Sequence, residues 1–274
     1  MIKVALCGAC GRMGRAITQE LVKQRDMKLV VAIDAPRTPF LGQDAGEVAG
    51  VSKLDVPITG ADKLMDVLKQ AKPNVLVDFT NATAAMQNIE TAASLRIPLV
   101  VGTTGFSQEQ LDKIRTAVEK VRIPAVVAPN MSIGVNVLFK LVGDAAKLLG
   151  KDYDVEIIEA HHVGKADSPS GTAVRAAEIV ARELGLDKRK IKCGRPSGEQ
   201  IRTKGDILIH SIRAGDIAGD HAVTFTTFGE RVEIVHRAHS RQTFAAGAIK
   251  AIRHIAEKGK AGVVQDMQDV LGLR

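Results

Sequence analysis

The densest group of reactive side chains lies between residues 159 and 172, in the run Glu-Ala-His-His-Val-Gly-Lys-Ala-Asp-Ser-Pro-Ser-Gly-Thr. An apolar, strand-like stretch precedes it and a helix-like stretch follows. Ser170, Gly171 and Thr172 can therefore turn backbone N–H and hydroxyl groups toward an anion at a helix start. His161, His162 and Lys165 place three proton-bearing groups beside that anion site. An imidazole whose ordinary pKa is about 6.5 can give or take a proton near neutral pH, and an ammonium attracts carboxylates. Adjacent histidines at a strand end point in opposite directions, so a metal held by both is not expected. Taken singly, His161 reads as a core histidine and Ser170 as a helix cap. That reading explains each residue but not their clustering.

A second chemical signal opens the chain. Gly8-Ala9-Cys10-Gly11-Arg12-Met13-Gly14 sits between a strand-like and a helix-like segment. Glycine permits the sharp bend and close approach that a pyrophosphate needs, and the helix start offers unpaired amides. The spacing is G-x-x-G-x-x-G rather than G-x-G-x-x-G, with Cys10 where a glycine often stands. Arg12 adds a cation. Asp34 lies twenty residues past Gly14, the distance at which a dinucleotide fold places the carboxylate that binds the adenosine ribose. A carboxylate there repels a 2′-phosphate and favours NADH, while nearby Arg37 keeps NADPH open. The alternative is a turn-starting Asp before Ala35-Pro36.

Cys7 and Cys10 form a C-x-x-C, a spacing shared by redox and zinc motifs. The third cysteine, Cys193, has no companion cysteine or closely spaced histidine. The expectation is no metal, with Cys7 ending a buried strand and Cys10 in a tight loop. An odd cysteine count also argues against a disulfide scaffold and for a reducing compartment.

The elements that must position these groups alternate in the first half. Strand-like runs at 3–7, 28–33, 74–79, 98–101 and 124–127 are separated by helix-like stretches at 12–25, 62–70, 82–95 and 108–121. Strands such as Val75-Leu76-Val77 are apolar throughout, as in a parallel sheet covered on both faces. Gly102, Gly105 and Asn130 fall at the carboxyl ends of later strands, where open α/β sheets bind ligands. After Asn130 the pattern changes to a helix at 135–149, a strand at 154–159 and a helix at 172–184. Three strand-like runs then follow directly, at 207–212, 222–228 and 231–238. Val223 with Phe225, and Val232 with Ile234, share faces as in an antiparallel sheet with one open side. Helical periodicity closes the chain at 244–256 and 263–271. The fold class is α/β: a Rossmann-like dinucleotide-binding domain (1–130 plus about 241–274) and an α+β substrate and oligomerisation domain (131–240) with a mixed, partly antiparallel sheet.

Composition agrees with a folded, two-domain chain. Of 274 residues, 45% are hydrophobic and 25% charged, which excludes wholesale disorder. The longest strictly apolar run, residues 29–33, is far short of the roughly 20 residues of a membrane span, and no signal-peptide pattern opens the chain. A soluble, cytoplasmic protein is expected. A net charge of +7 favours anionic partners. Nucleic acid is disfavoured, because the basic residues are scattered and there is no Trp and a single Tyr for stacking.

In several segments the sequence resembles the 4-hydroxy-tetrahydrodipicolinate (dihydrodipicolinate) reductase family. They are the G-x-x-G-R-M-G loop, Gly102-Thr103-Thr104-Gly105-Phe106, the run from Ala128 to Asn136, the dihistidine segment through Ala173, Arg213-Ala214-Gly215-Asp216, and Gly229-Glu230-Arg231. They follow the family's order across nearly the whole chain. The resemblance implies NAD(P)H-dependent reduction of a small cyclic dicarboxylate to tetrahydrodipicolinate on the way to diaminopimelate and lysine, by a homotetramer. It implies that Gly8, Ala9, Cys10, Gly11, Arg12, Met13, Asp34, Gly102, Thr103, Thr104, Ala128, Pro129, Asn130 and Met131 hold NADH or NADPH. His161 and Lys165 would handle the proton, with His162, Gly171 and Thr172, joined by Ser170, on the substrate carboxylates. Two departures stand out: Ala35 follows Asp34 where some members carry Arg, and Met131 replaces a Phe. The competing readings are another two-domain NAD(P)-dependent reductase of a small carboxylate and a non-enzymatic dinucleotide or redox sensor built on Cys7 and Cys10.

Overall fold

Short runs of Val, Leu and Ile build the first sheet: β1 (Ile2–Cys7), β2 (Met27–Asp34), β3 (Ile58–Gly60), β4 (Val75–Asp78), β5 (Leu99–Val101) and β6 (Ala125–Val127). The structure is a computed structural model that describes residues 1–195, 197–198 and 201–274. It divides into two compact units, Met1–Ile133 with Arg241–Arg274, and Gly134–Ser240.

In the first unit all strand pairs are parallel. The order runs β3-β2-β1-β4-β5-β6, with a two-residue strand near the carboxyl terminus, β12 (Val264–Gln265), beside β6. Because side chains alternate along a strand, β1 sends Val4 and Leu6 to one face and Ala5 and Cys7 to the other. Helices α1 (Arg12–Leu21) and α8 (Gln242–Lys258) bury Ile17, Leu21, Ala248 and Ile252 against the first face. The second is covered by α3 (Leu64–Ala71), α4 (Ala82–Ser94) and α5 (Gln108–Val121), through Leu68, Ile89 and Val118. Strand order reverses between β1 and β4, the switch point at which such sheets bind ligands.

The second unit has a five-stranded mixed sheet. Its members are β7 (Asp154–His161), β8 (Ile191–Cys193), β9 (Ile207–Arg213), β10 (Gly219–Thr227) and β11 (Glu230–Ala238), in the order β11-β10-β7-β9-β8. β10 runs antiparallel to β7 and β11, whereas β7 and β8 run parallel to β9. Helices α6 (Ile133–Leu149) and α7 (Gly171–Glu183) cover one face, closing a core of Leu138, Val142, Ala177, Ile157, Val223 and Phe225. Val223 lies opposite Ile234 and Phe225 opposite Val232, which places each pair on one face. The other face keeps Ile158, Ile212 and Val235 exposed.

The sequence reading differs from the structure at the carboxyl terminus. Instead of one helix over 263–271, Val264–Gln265 joins the sheet and a short helix, α9 (Met267–Leu271), follows. Asp266 sets that start, because its side chain accepts from the amides of Gln268 and Asp269 in a capping box. The reading also omitted β3, β8 and α2 (Ala45–Ala49).

Candidate active site

In the first unit, β1 delivers the glycine loop to the switch point. Gly8 has φ +81, and a side chain there would put Cβ 2.4 Å from the Phe79 carbonyl oxygen, so only glycine fits. At Gly14 a Cβ would lie 2.1 Å from the Gly8 oxygen, so glycine lets α1 pack on the loop. The amides of Gly8 and Ala9 both donate to Ile33 O, at 2.9 and 3.0 Å, and Gly11 N donates to Gly8 O at 3.1 Å. Cys10 N donates to Asp34 Oδ2 at 2.7 Å, and Ala35 N to Asp34 Oδ1 at 2.8 Å. Asp34 thus anchors the loop as well as ending β2. Because α1 starts without a side-chain cap, the first-turn amides of Arg12 and Met13 could receive an anion.

The two thiols of the C-x-x-C are poor nucleophiles. Burial, then the charges of Asp78 and Asp34, push the Cys7 thiol well above its usual range. Burial and then Asp34 push Cys10 up to about 11. All three cysteines are free. Among the described residues, no group of three or more His, Cys, Asp or Glu side chains is arranged to hold a metal ion.

Beside the loop, the last residue of β4 is a fully buried carboxylate, Asp78. Its Oδ1 accepts from Thr80 Oγ1 at 2.8 Å, Thr103 Oγ1 at 2.6 Å and Thr80 N at 3.2 Å; its Oδ2 accepts from Asn88 Nδ2 at 2.7 Å. One carboxylate therefore fixes the turns after β4 and β5 to α4. The Thr103 hydroxyl is spent on this network, leaving Gly102 and exposed Thr104 as the reachable members of that turn. Ala128 and Met131 are likewise buried, with Met131 in the core under α8, whereas Pro129 is exposed and Asn130 half-buried. Any ligand contact from Met131 is thus made by its backbone.

In the second unit, alternation along β7 turns Val155, Ile157, Glu159 and His161 inward. Opposite Glu159 stand His221 on β10 and Ser211 on β9, and opposite His161 stands Arg213. His161 Nδ1 lies 2.6 Å from Glu159 Oε2. Arg213 grips both oxygens of Glu159 at 2.9 and 2.8 Å, and Ser170 N donates to Oε1 at 3.1 Å. Burial alone would raise the Glu159 pKa, but the bonds from Arg213, Ser211, His161 and the Ser170 amide outweigh it and hold it at about 2. Burial lowers the His161 pKa; Glu159 opposes that shift, and Lys165 and Arg213 add to it.

His221 packs edge-on to His161, with ring centroids 5.2 Å apart, and its Nε2 lies 3.1 Å from Ser170 Oγ. Burial, then His161 itself, hold His221 down to about 3, so it is neutral. Ser170 caps α7 through its hydroxyl, which accepts from Ala173 N at 3.2 Å. Gly171 is exposed at the helix start and Thr172 follows it. Lys165 pairs with Asp167 at 2.8 Å, and Arg213 also donates to the carbonyls of Lys165 and Asp167, which shapes the loop.

The second unit thus brings His161, Lys165, Ser170 and Gly171 onto one framework. Sequence reading named Glu159 and Arg213 without giving them a role, and passed over the other groups that hold the site: His221 here, and Asp78, Thr80 and Asn88 in the first unit. The signal for Glu159 was available, since it falls on the inward register of an otherwise apolar strand face. His221, sixty-two residues away from Glu159 in the chain, becomes a neighbour only through strand pairing.

Two sequence profiles of one family cover the chain: "Dihydrodipicolinate reductase, N-terminus" over residues 2–131 and "Dihydrodipicolinate reductase, C-terminus" over 134–271. The 4-hydroxy-tetrahydrodipicolinate reductase of Methanothermobacter thermautotrophicus is 50% identical over 274 residues, 100% of both chains. That of Methanocaldococcus jannaschii is 49% identical over 273 residues, covering 100% of this chain and 98% of its own. A dipicolinate-bound dihydrodipicolinate reductase from Paenisporosarcina sp. TG-14 superposes with a TM-score of 0.77 at 26% identity, over 98% of each chain. GenD2 from gentamicin A biosynthesis, solved with NAD, shares the fold alone, at 13% identity and a TM-score of 0.62 over 99% of this chain and 90% of that one. The chain belongs to the dihydrodipicolinate reductase family.

Proposed function

We propose that this enzyme reduces 4-hydroxy-tetrahydrodipicolinate to tetrahydrodipicolinate in diaminopimelate and lysine biosynthesis, with His161 delivering the proton and Lys165 assisting. The observation that carries the reading is the convergence of a carboxylate-held histidine, a lysine and the start of α7 in one loop system. A nicotinamide dinucleotide fits the first unit. Gly8 and Gly14 leave no room for side chains beside Phe79 and the loop, the start of α1 is uncapped, and Asp34 stands at the end of β2. On this reading Arg12 and Met13 hold the pyrophosphate, Asp34 the ribose, and Gly102, Thr104, Pro129 and Asn130 the nicotinamide end.

When bound, the nicotinamide supplies a hydride. The residues of this chain do the rest. Lys165 exchanges Asp167 for a substrate carboxylate, and His162 and the amides of Gly171 and Thr172 take the other. The substrate's 4-hydroxyl first leaves as water with a neighbouring ring proton, which conjugates the ring. Hydride arrival at the conjugated carbon then leaves an enamine-like anion, and protonated His161, made more acidic by burial, gives it a proton.

The first unit is the proposed dinucleotide domain, and the second the proposed substrate and oligomerisation domain. A homotetramer is proposed, with support from the open sheet face bearing Ile158, Ile212 and Val235. A cytoplasmic location is proposed as well; among the described residues no helix is long and apolar enough to cross a membrane.

The decisive assay follows NADH and NADPH oxidation with substrate made in situ from aspartate semialdehyde and pyruvate by the preceding synthase. His161→Gln and Lys165→Ala should each lower turnover by about 10²–10⁴-fold with little change in cofactor affinity. Lys165→Ala should also raise the substrate KM. Full turnover in a stable His161→Gln protein would remove His161 from the chemistry.

A further inference from the structure

The geometry assigns to Glu159 a positioning role that joins the two halves of the second unit's site. Its Oε2 accepts a hydrogen bond from Nδ1–H of His161, while its Oε1 accepts one from the Ser170 amide at the start of α7. One buried carboxylate therefore fixes both the proton-bearing ring and the helix start that meets the anion. Arg213 spans both oxygens, so the carboxylate cannot rotate without breaking a bidentate pair.

Three consequences follow from the bonding. With Nδ1 committed to Glu159, Nε2 is the His161 atom that exchanges a proton with a ligand. Space beside Nε2 is kept by Gly219: a Cβ at that position would lie 3.1 Å from Nε2. And because Arg213 holds Glu159 ionised, the carboxylate stabilises imidazolium without taking its proton, in the way a carboxylate orients histidine in a hydrolytic triad. His221, the other ring against His161, is neutral and tied to Ser170 Oγ, so it does not compete for the Glu159 oxygens.

The assignment rests on the reading of His161 as proton donor, but its first test does not. Nitrogen NMR of histidine-labelled protein, with the His161 signal identified by its loss in His161→Gln, should show neutral His161 as the Nδ1–H tautomer. The Nε2–H tautomer would overturn the assignment, even if the enzyme reduces the proposed substrate. Conversely, failure of the synthase-coupled assay together with an Nδ1–H tautomer would refute the substrate and leave the positioning role standing.

The kinetic test uses Glu159→Gln and Glu159→Asp. The charged groups facing His161 are Glu159 on its own strand, Arg213 from β9, Lys165 and Asp167 from the loop, and the titratable His221 from β10, with His236 opposite His221 on β11. Only Glu159 and Asp167 among them are acidic, and only Glu159 bonds the ring. Losing its charge should therefore move the alkaline limb of the kcat–pH profile to lower pH and reduce kcat by roughly 10²–10⁴-fold, with cofactor KM unchanged. Glu159→Asp keeps the charge but shortens the reach, so it should hold the limb closer to the parent's while losing kcat. A folded Glu159→Gln protein with the parent's kcat and limb would overturn the role; if that variant does not fold, the tautomer measurement decides.

Discussion

Asp78→Ala removes a carboxylate that no solvent reaches, and the structure shows which partners would be stranded. The Thr80 amide would keep Thr103 Oγ1 at 2.8 Å, and the Thr80 hydroxyl would keep Asn81 O at 3.3 Å. Asn88, 4% exposed, has its side-chain amide donated to Asp78 and would be left buried without that acceptor. An orphaned buried donor costs about 1–3 kcal/mol, and each lost hydrogen bond to a charged group about 1.5–3. Relief of the buried charge offsets part of this, giving a net loss of about 3–5 kcal/mol, or roughly 6–20 °C in Tm at 2–4 °C per kcal/mol. Asp78→Asn should cost less, about 1–2 kcal/mol, because Asn88 can flip its amide and accept from the new side chain. Both variants should weaken dinucleotide binding, since the turns at Thr80 and Thr103 lose their common anchor. Thermal melts read by circular dichroism, with NADH titrated by fluorescence, test this. A Tm within 2 °C of the parent for Asp78→Ala would refute the network as what holds these turns.

Asp34→Ala should weaken NADH by about 1–2 kcal/mol and NADPH by less, read as dissociation constants by calorimetry; unchanged NADH affinity would remove Asp34 from the ribose site. With Cys10 pushed up to about 11 and the buried Cys7 also pushed well above its usual range, iodoacetamide at pH 8 should label exposed Cys193 first and leave activity intact. Rapid labelling of Cys10 with loss of activity would instead favour the redox reading. His221 is neutral in the folded state down to about pH 3, whereas an unfolded histidine binds its proton near pH 6.5. Stability should therefore fall as pH drops from about 6.5 toward 3, by a few kcal/mol, with Glu159 adding its own loss below about pH 4.5. His221→Gln should flatten the upper part of that slope in acid denaturation curves; an unchanged slope would contradict the assignment.

Much of the fold was legible because burial on both faces writes a parallel strand as an unbroken apolar run, as in Val75-Leu76-Val77. The elements that escaped notice have another origin. β3, β8 and β12 span two or three residues, too few to show a period, and they pair because neighbouring edges present open hydrogen-bond groups. α2 exists because Asp44 accepts from four backbone amides, those of Gly46, Glu47, Leu54 and Val56, two of them beyond the helix. In the site, residue type pointed to His161 and Lys165, and spacing to Asp34. The family resemblance also nominated Thr103 and Met131, whose buried side chains hold up the walls.

That last difference separates two kinds of site residue in this chain. Groups proposed to meet a ligand sit on loops or at a strand's end and are conspicuous in sequence, because glycine, histidine and lysine need a reason to cluster. Groups that hold them lie at the inward ends of strands, where an acid follows an apolar run: Asp78 closes Val75-Leu76-Val77, and Glu159 continues the face of Val155 and Ile157. Each is fully buried and ionisable, and each binds neighbouring segments through both its oxygens. A buried carboxylate at that place is costly unless every lone pair facing the protein is used. Here the partners that satisfy Asp78 and Glu159 are the segments they tie together: the turns after β4 and β5 in one unit, and the imidazole and the start of α7 in the other.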